Sequence, residues 1–326
     1  MKKLIEIEDI INKLNHKTQK KFDISHKLGR SCYLLIDENS KDKMVLKFEP
    51  KVQNKLHSIW RWFFGGSLPF QNELRVLNTI SRSEKKKFLN PKLFQNQFSS
   101  FYLMEYISNN ELLDNHFFSD SIKINICSAL ASFRKLNRPK KWNFFKERAF
   151  RILESPLRKM FKMAFYSYKL YKIDILKLLI LILKLEITRI LKRKIPPGFI
   201  HNDFGPNNII IDSNSSIYFI DFEDALWEKK WPLVDITDIA IDEKTGMLDN
   251  QMIKTYLLQI LKKRDDIWRL PLSCHLKFGY LRILLRRLCA GNPKDKEMSI
   301  YLQKINGLIE NDNMTDNWYA EFELLK

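Results

Sequence analysis

The sequence predicts an α+β fold in two parts: a small antiparallel sheet that carries one helix, and a large, mainly helical body behind it. Short alternating segments between residues 22 and 49 predict the sheet, and turn residues divide them into a hairpin series. Residues 69–80 then take helical spacing after Pro69, as a proline in a first turn allows. Residues 120–195 place apolar side chains at helical spacing with few breakers, which predicts the helical body.

The remaining elements follow in order along the chain. Residues 1–20 predict an amphipathic helix, and FYLMEYI at 101–107 predicts a buried strand. The run PPG at 196–198 ends the helical stretch, because prolines remove backbone donors and clash with the preceding turn. Two short β-rich segments follow, FIHNDFGPNNIIID and SIYFIDFEDA, and the pattern is helical again from about residue 250.

Charge is the most unusual global property of this chain. Its 326 residues carry a formal net charge of +18, which attracts anions such as nucleotides, phosphorylated sugars, acidic lipid head groups or nucleic acid. A coding sequence that favours lysine would produce part of this charge without any functional meaning. The four scattered cysteines form no CxxC pair, so neither a zinc ribbon nor a disulfide framework is predicted, and a cytoplasmic location is expected.

Neither a secretory signal nor a transmembrane helix is expected. The N-terminus has acidic residues where a signal peptide needs an apolar core. Five charged residues interrupt the most apolar stretch, 173–191, whereas a bilayer span needs about 20 predominantly apolar residues.

The segment that carries chemistry is HNDFGPNN at 201–208, and Asp221 follows Asn208 by thirteen residues, in the run DFED. Phosphoryl transfer needs an acceptor hydroxyl aimed in line, metal ions that bridge the phosphates and cations that neutralise developing charge. One carboxylate can accept the hydroxyl proton, while an asparagine and a second carboxylate supply oxygen ligands for Mg²⁺. Taken alone, Asp203 could equally be a turn residue and Asn208 a helix cap.

HxDxxxxN followed by an IDFE run resembles the catalytic and metal-binding segments of protein kinases, and its form is closer to the aminoglycoside phosphotransferase and choline kinase family. The resemblance implies a bilobal protein-kinase-like fold and Mg²⁺-dependent phosphoryl transfer from ATP. It also implies that Asp203 is the catalytic base and that Asn208 and Asp221 hold Mg²⁺. His201 would brace the loop, and Asp235 in the run PLVD would support it.

Other parts of a nucleotide site occur upstream in the order of that family. Lys47 lies in the apolar segment MVLKF, where the resemblance implies a phosphate-contacting lysine, and Glu73 would be its ion-pair partner. LMEY at 103–106 resembles the hinge, whose backbone around Glu105 and Ile107 would bind adenine. Singly, these are an ordinary strand lysine, a glutamate near a helix N-terminus and a core strand. Their joint occurrence in order favours a kinase.

The predicted phosphate loop departs from the family pattern. KLGRSC at 27–32 contains a single glycine where protein kinases have GxGxxG. Ser31 and the backbone N–H groups around it would contact a phosphate, and Arg30 would add positive charge.

The resemblance spans about residues 22–240. It implies a nucleotide-binding lobe at 1–107 with a hinge at about 104–108, and a helical lobe at 108–326 that carries the catalytic loop and the acceptor pocket. A helical insert at 134–196 carries none of the resemblance.

The residues after Asp221 and the composition of the insert both bear on the nature of the acceptor. No activation-loop-like segment lies between Glu223 and Asp235, which favours a small molecule over a protein. Residues 157–194 carry eleven Lys or Arg against two acidic residues, interleaved with aromatics. This composition disfavours cationic acceptors and favours a sugar-containing, anionic acceptor, including one attached to lipid. The same basic helices either rest on an anionic membrane or pack in the core with their lysines in water.

Two other classes of function stay open from the sequence. The poor glycine loop is compatible with a degenerate kinase-like module that binds nucleotide without catalysis, although Lys47, Asp203, Asn208 and Asp221 are intact. The charge and the aromatic residues of the insert are compatible with nucleic-acid binding.

Overall fold

The computed structural model confirms the α+β architecture, a small antiparallel sheet followed by a mainly helical remainder. The residues that it describes are 2–28, 32–48, 68–81, 88–90, 92–95, 101–107, 119–138, 144–153, 155–191, 198–228, 231–242, 244–260, 272–291 and 296–310.

The N-terminal part contains a five-stranded sheet with strand order β1-β2-β3-β5-β4, antiparallel throughout. Its elements are α1 (Lys2–Thr18), β1 (Phe22–Lys27), β2 (Cys32–Asp37), β3 (Lys43–Phe48), α2 (Leu68–Ser81), β4 (Leu93–Gln95) and β5 (Phe101–Glu105). The predicted helices and hairpin strands are all present, with ends that differ by one or two residues. The three-residue edge strand β4 was not predicted.

The helical part follows β5. Its helices are α3 (Asp120–Arg134), α4 (Phe144–Leu153), α5 (Pro156–Tyr171), α6 (Ile175–Leu191), α7 (Val234–Ala240), α8 (Asn250–Ile260), α9 (Leu272–Ala290) and α10 (Lys296–Glu310). In its described residues, the stretch predicted as helical at 120–195 therefore contains four helices. One break begins at Ser155-Pro156, where proline occupies the first turn of α5, and another at Lys172, which caps that helix in the left-handed conformation with a φ of 57°.

Two antiparallel strand pairs lie between α6 and α7. They are β6 (Gly198–Ile200) with β9 (Leu226–Glu228), and β7 (Ile209–Ile211) with β8 (Ile217–Phe219). Because β6 ends just before His201 and β7 begins just after Asn208, the two pairs fix both ends of the segment 201–208. The strand β8 ends two residues before Asp221, which places that residue close to the same segment.

The two largest apolar clusters among the described residues lie in the helical part and beneath the sheet. In the smaller one, Ile7, Ile11 and Leu14 of α1 share one helical face and pack against sheet residues that include Leu35 and Leu46. The larger cluster joins the helical part to α2, through residues such as Phe70, Val76 and Ile80. Consequently α2 is anchored in the core of the helical part while it also reaches the sheet. None of the helices in the described ranges is both long enough and apolar enough to cross a bilayer.

Candidate active site

The side chain of Lys47 lies among three carboxylates from distant parts of the chain. Its Nζ lies 2.6 Å from Glu73 Oε2, 2.8 Å from Asp221 Oδ1 and 2.9 Å from Glu223 Oε1. β3 carries the lysine, α2 carries Glu73, and the turn after β8 carries the other two carboxylates. Lys47 and Glu73 are almost completely buried, whereas the side chain of Asp221 is 42% exposed. The cluster is therefore closed to solvent at Lys47 and Glu73 and open to solvent at Asp221.

The electrostatics of this cluster keep Lys47 charged. Burial alone would lower the pKa of Lys47, but the carboxylates of Glu73, Asp221 and Glu223 outweigh it and raise that pKa well above its usual value. Burial raises the pKa of Glu223, and the neighbouring Glu73 and Asp221 charges raise it further against the lowering effect of Lys47. Burial, reinforced by Glu73, raises the pKa of Tyr102 well above its ordinary range. The lysine is thus a permanent cation in a mostly anionic pocket.

Asn72, next to Glu73 on α2, holds the turn that carries Asp221. Its Nδ2 lies 3.3 Å from Phe222 O, 3.1 Å from Glu223 O and 2.8 Å from Ala225 O. The backbone N–H of Phe222 donates to Glu73 Oε1 at 3.3 Å. One turn of α2 therefore positions both the lysine and the 222–225 turn. Asn72 was not among the residues predicted from the sequence, because its partners lie about 150 positions further along the chain.

Asp235, at the start of α7, binds the backbone of the loop 201–208. The Asp235 carboxylate accepts backbone hydrogen bonds from His201 N at 2.6 Å and Asn202 N at 2.8 Å. Burial raises the pKa of Asp235, although the charge of His201 and both backbone donors oppose that shift. On the other side, His201 Nε2 lies 2.8 Å from Ile220 O, directly before Asp221. These contacts match the supporting positions that the sequence predicted for His201 and Asp235.

Two non-glycine residues of the site have left-handed backbone conformations. The φ of Asn202 is 65° and that of Asp221 is 59°. Asn and Asp tolerate this region better than other residues, but it still costs of the order of 1 kcal/mol and persists only when its surroundings impose it. The surroundings therefore hold Asn202, which precedes Asp203, and Asp221 itself in these conformations.

Asp203 forms an ion pair with Arg286 of α9. Arg286 Nη1 also lies 3.4 Å from Asp238 Oδ2. The neighbouring Arg282 is buried, donates to both carboxylate oxygens of Asp238 at 2.6 and 2.7 Å, and donates to Asn202 O at 2.7 Å. This network fixes the loop backbone to α7 and α9. Neither arginine was predicted from the sequence, because the amphipathic pattern of their helix does not reveal distant partners.

The oxygens of Asn208 and Asp221 fit a hard cation. Asn208 Nδ2 donates to Asp203 O at 2.7 Å, which leaves Oδ1 as its ligand atom, and Ile220 N donates to Asn208 O at 3.1 Å. Glu73, Asp221 and Glu223 together offer carboxylate oxygens within 4.8 Å of one another. Carboxylate and amide oxygens in this arrangement are ligands that Mg²⁺ prefers. Since Lys47 neutralises part of the cluster, the exposed carboxylate of Asp221 is the best placed of the three.

The structure describes only some of the residues that were predicted to bind adenine and phosphate. Glu105 ends β5, pairs with Met44 of β3, and donates its backbone N–H to Lys92 O at 2.9 Å. Ile107 lies two residues further along the chain and is half-buried. Ser31 and Arg30 lie outside the described residues, so their predicted contacts with phosphate stay predictions.

A basic residue of the helical insert also contacts the site. Lys159 of α5 forms an ion pair with Asp224, whose backbone oxygen also accepts a hydrogen bond from Asn202 Nδ2 at 3.3 Å. The insert is therefore in direct contact with the turn that carries Asp221. Nothing in the spacing of Lys159 indicates this contact, because lysines occur throughout the insert.

Comparison with known proteins supports the interpretation of this geometry. The sequence model of the phosphotransferase enzyme family, APH, matches residues 26–266, about three quarters of the chain. No curated protein matches the chain.

Solved structures with a similar fold include APH(2'')-IIa in a ternary complex with streptomycin and ATP. It is 14% identical, has a TM-score of 0.56, and the match covers 91% of this chain and 95% of that one. The aminoglycoside phosphotransferase APH(2'')-Ib bound to ADP is 16% identical, with a TM-score of 0.54 and coverage of 92% and 96%. An ethanolamine kinase from Plasmodium vivax is 14% identical, with a TM-score of 0.58 and coverage of 88% and 80%. At these identities the similarity concerns the fold.

Proposed function

This chain belongs to the phosphotransferase enzyme family, and on that premise we propose that it transfers the γ-phosphate of ATP to a hydroxyl group of a sugar-like acceptor. The observation that carries the proposal is the meeting of Lys47, Glu73 and Asp221 beside the loop of Asp203 and Asn208. Similar folds that bind ATP and ADP support the choice of nucleotide.

In this proposal each side chain has one task. Lys47, held by Glu73, contacts the phosphates, and its present contact with Asp221 opens when nucleotide enters. The carboxylate of Asp203 accepts the proton of the acceptor hydroxyl as that oxygen attacks the γ-phosphate. Asn208 Oδ1 and the Asp221 carboxylate hold Mg²⁺, which supplies charge neutralisation at the phosphate oxygens.

The same proposal assigns the two parts of the chain. Residues 1–107 form the nucleotide-binding lobe, with backbone around Glu105 and Ile107 as the adenine contact and Ser31 in the phosphate loop. Residues 108–326 form the lobe that carries the catalytic loop and the acceptor pocket, and the hinge lies at about 104–108. The antiparallel pairing of β3 with β5 supports this assignment, because it connects the lysine strand directly to the hinge segment.

We further infer that the acceptor is anionic. Two cations from outside the nucleotide site reach its acceptor side: Arg286 at the Asp203 carboxylate and Lys159 at Asp224. Arg286 is about one-third exposed, so its guanidinium can also contact a bound acceptor. A planar guanidinium beside the reacting hydroxyl matches a carboxylate or phosphate group on the acceptor and disfavours a cationic one.

The transfer reaction is tested by measuring ATP consumption against a panel of hydroxyl compounds. The panel contains neutral sugars, phosphorylated or carboxylated sugars, lipid-linked glycans and amino alcohols. With any acceptor found, Asp203→Asn is expected to lower turnover by roughly 10²–10⁴ while nucleotide affinity is kept. The matched control is Asp120→Asn, an exposed aspartate in the first turn of α3, which should keep wild-type turnover. Wild-type turnover in Asp203→Asn would remove that residue from its role.

The anionic acceptor is tested separately with Arg286→Gln. This variant should raise the KM for an acidic acceptor by about tenfold or more, the loss of one charge-assisted contact, and should leave the KM for a neutral analogue nearly unchanged. Equal effects on the two acceptors would contradict the charge argument without affecting the assignment of Asp203.

A further inference from the structure

Helix α6 carries a stripe of exposed apolar side chains that do not belong to the core formed by the described residues. Leu176, Ile180, Leu183 and Ile187 are spaced by four, three and four residues, so they share one face, and their exposures lie between 49% and 67%. On the opposite face, Leu178, Ile182 and Leu185 are buried in the larger apolar cluster. We call the four exposed residues the α6 stripe.

Basic residues border the α6 stripe. On α6 itself, Lys177 and Lys184 are exposed and lie about 80–100° around the helix from the stripe. On α5, which packs against α6, Arg158, Lys162 and Lys169 are exposed on one face, together with Phe165. Tyr166 and Tyr168 of the same helix are also about half exposed. Aliphatic residues beside cations and tyrosines are typical of helices that lie in the interface of a membrane.

We propose that the α6 stripe docks on the surface of an anionic membrane, with α6 lying in the plane of the interface. The helix has 17 residues, which corresponds to a length of about 25 Å, and no helix in the described ranges is both long and apolar enough to cross a bilayer. Its aliphatic side chains enter the boundary between head groups and acyl chains, while the lysines of α5 and α6 contact acidic head groups.

Charge favours an anionic membrane over a second copy of the chain or a nucleic acid as the partner of the α6 stripe. A second copy of the chain would bring another net charge of +18 to the contact, which opposes self-association through a basic face. A nucleic acid would satisfy the lysines but would leave four aliphatic side chains against polar sugar and phosphate groups. An anionic lipid surface is complementary to both features.

The proposal does not depend on phosphoryl transfer, and its test has no catalytic readout. The full-length protein is sedimented with sucrose-loaded phosphatidylcholine vesicles, with or without about one-third phosphatidylserine. Wild type is expected to partition onto the anionic vesicles, less so as salt is raised, and far less onto the neutral ones.

Two matched sets of substitutions locate the surface. Changing Leu176, Ile180, Leu183 and Ile187 to Gln keeps helix propensity and is expected to weaken partitioning at least tenfold, on the order expected for losing several inserted aliphatic side chains. The control changes four exposed apolar residues on other helices to Gln, namely Ile124, Phe145, Ile152 and Leu258, and should bind like wild type. Lys162→Gln with Lys169→Gln should weaken binding to anionic vesicles by about thirtyfold, because each lysine near the surface contributes roughly 1 kcal/mol.

Several results would overturn the proposal. Unchanged partitioning of the stripe variant, equal loss in the control variant, or no binding of wild type to anionic vesicles at low salt each contradicts it. If light scattering shows a wild-type dimer that the stripe variant converts to monomer, the occupant is a second copy. If wild type binds only after residues 311–326 are removed, the occupant in the intact protein is its own C-terminal segment. Circular dichroism confirms that each variant is folded.

Discussion

Gly279 on α9 lies where that helix packs against α7, whose Asp235 binds the loop of Asp203, and its replacement by alanine tests how tightly this support is packed. A Cβ atom built at Gly279 would lie 2.5 Å from Thr237 Oγ1 and 2.8 Å from its Cγ2. Thr237 is fully buried, and its hydroxyl lies 2.9 Å from both Leu233 O and Val234 O. The threonine therefore cannot rotate away without losing a buried hydrogen bond.

The expected magnitude is the balance of two opposing effects. Alanine stabilises a helix interior by about 1 kcal/mol relative to glycine. Against this, carbon atoms pack at about 3.5–4.0 Å, so the new methyl group must displace its neighbours by about 1 Å, and overpacking of this kind costs about 1–3 kcal/mol. Gly279→Ala should thus lower the free energy of unfolding by up to about 2 kcal/mol, a few degrees in Tm for a protein of this size.

The assay is a double-mutant cycle measured by denaturant unfolding. Thr237→Ala removes the two closest atoms and leaves the Cβ of residue 237, which is 3.2 Å from the new methyl group, so in that background Gly279→Ala should cost much less, with a coupling energy of about 1–3 kcal/mol. Gly205→Ala is the control, because a Cβ there meets nothing within 4 Å. An equal loss of stability with and without Thr237, or a stabilised single variant, would refute the packing argument.

Two further predictions concern the α2 contact and the buried carboxylate of Asp37. Asn72→Ala removes the side-chain donor to the buried carbonyl of Ala225 and should lower stability by about 1–3 kcal/mol by thermal unfolding, while Asn78→Ala on the same helix has a smaller effect; equal losses would contradict this. The hydrogen bond from Lys20 lowers the pKa of Asp37 to about 2, so its stabilisation is present above its unfolded pKa of about 4 and is lost as pH falls through about 2. Asp37→Asn should therefore reduce Tm at neutral pH, and this difference should shrink in acid; a constant difference would exclude the ion pair.

Much of the fold was predictable because its signals are local. The spacing of Ile7, Ile11 and Leu14 predicts α1, and the apolar alternation around Lys47 predicts β3. Strands β4 and β9 have three residues each, too few for any alternation, and they exist through pairing, β4 with the next strand β5 and β9 with the more distant β6. A proline at a helix start could have predicted the break at Ser155-Pro156, but this signal was not used.

The residues of the candidate site also fall into two groups, those that the sequence predicted and those that it did not. Lys47, Glu73 and Asp221 could be chosen in advance because each lies in a local run with a recognisable pattern, and the structure brings them together. Arg286 and Asn72 could not, since their partners lie tens to more than a hundred positions away and their local context is that of ordinary helix residues. Local sequence thus predicts candidate site residues, and only tertiary structure shows which other groups position them.

The central claim is that Lys47 and Asp221 face a single Mg²⁺-bound triphosphate. Calorimetric titration of a non-hydrolysable ATP analogue, with Mg²⁺ and with EDTA, tests this most directly in wild type and Asp221→Asn. We predict that wild type binds the analogue, that Mg²⁺ tightens binding by at least about tenfold, and that Asp221→Asn removes this tightening. Absence of binding by wild type, or an unchanged effect of Mg²⁺ in Asp221→Asn, would contradict the account.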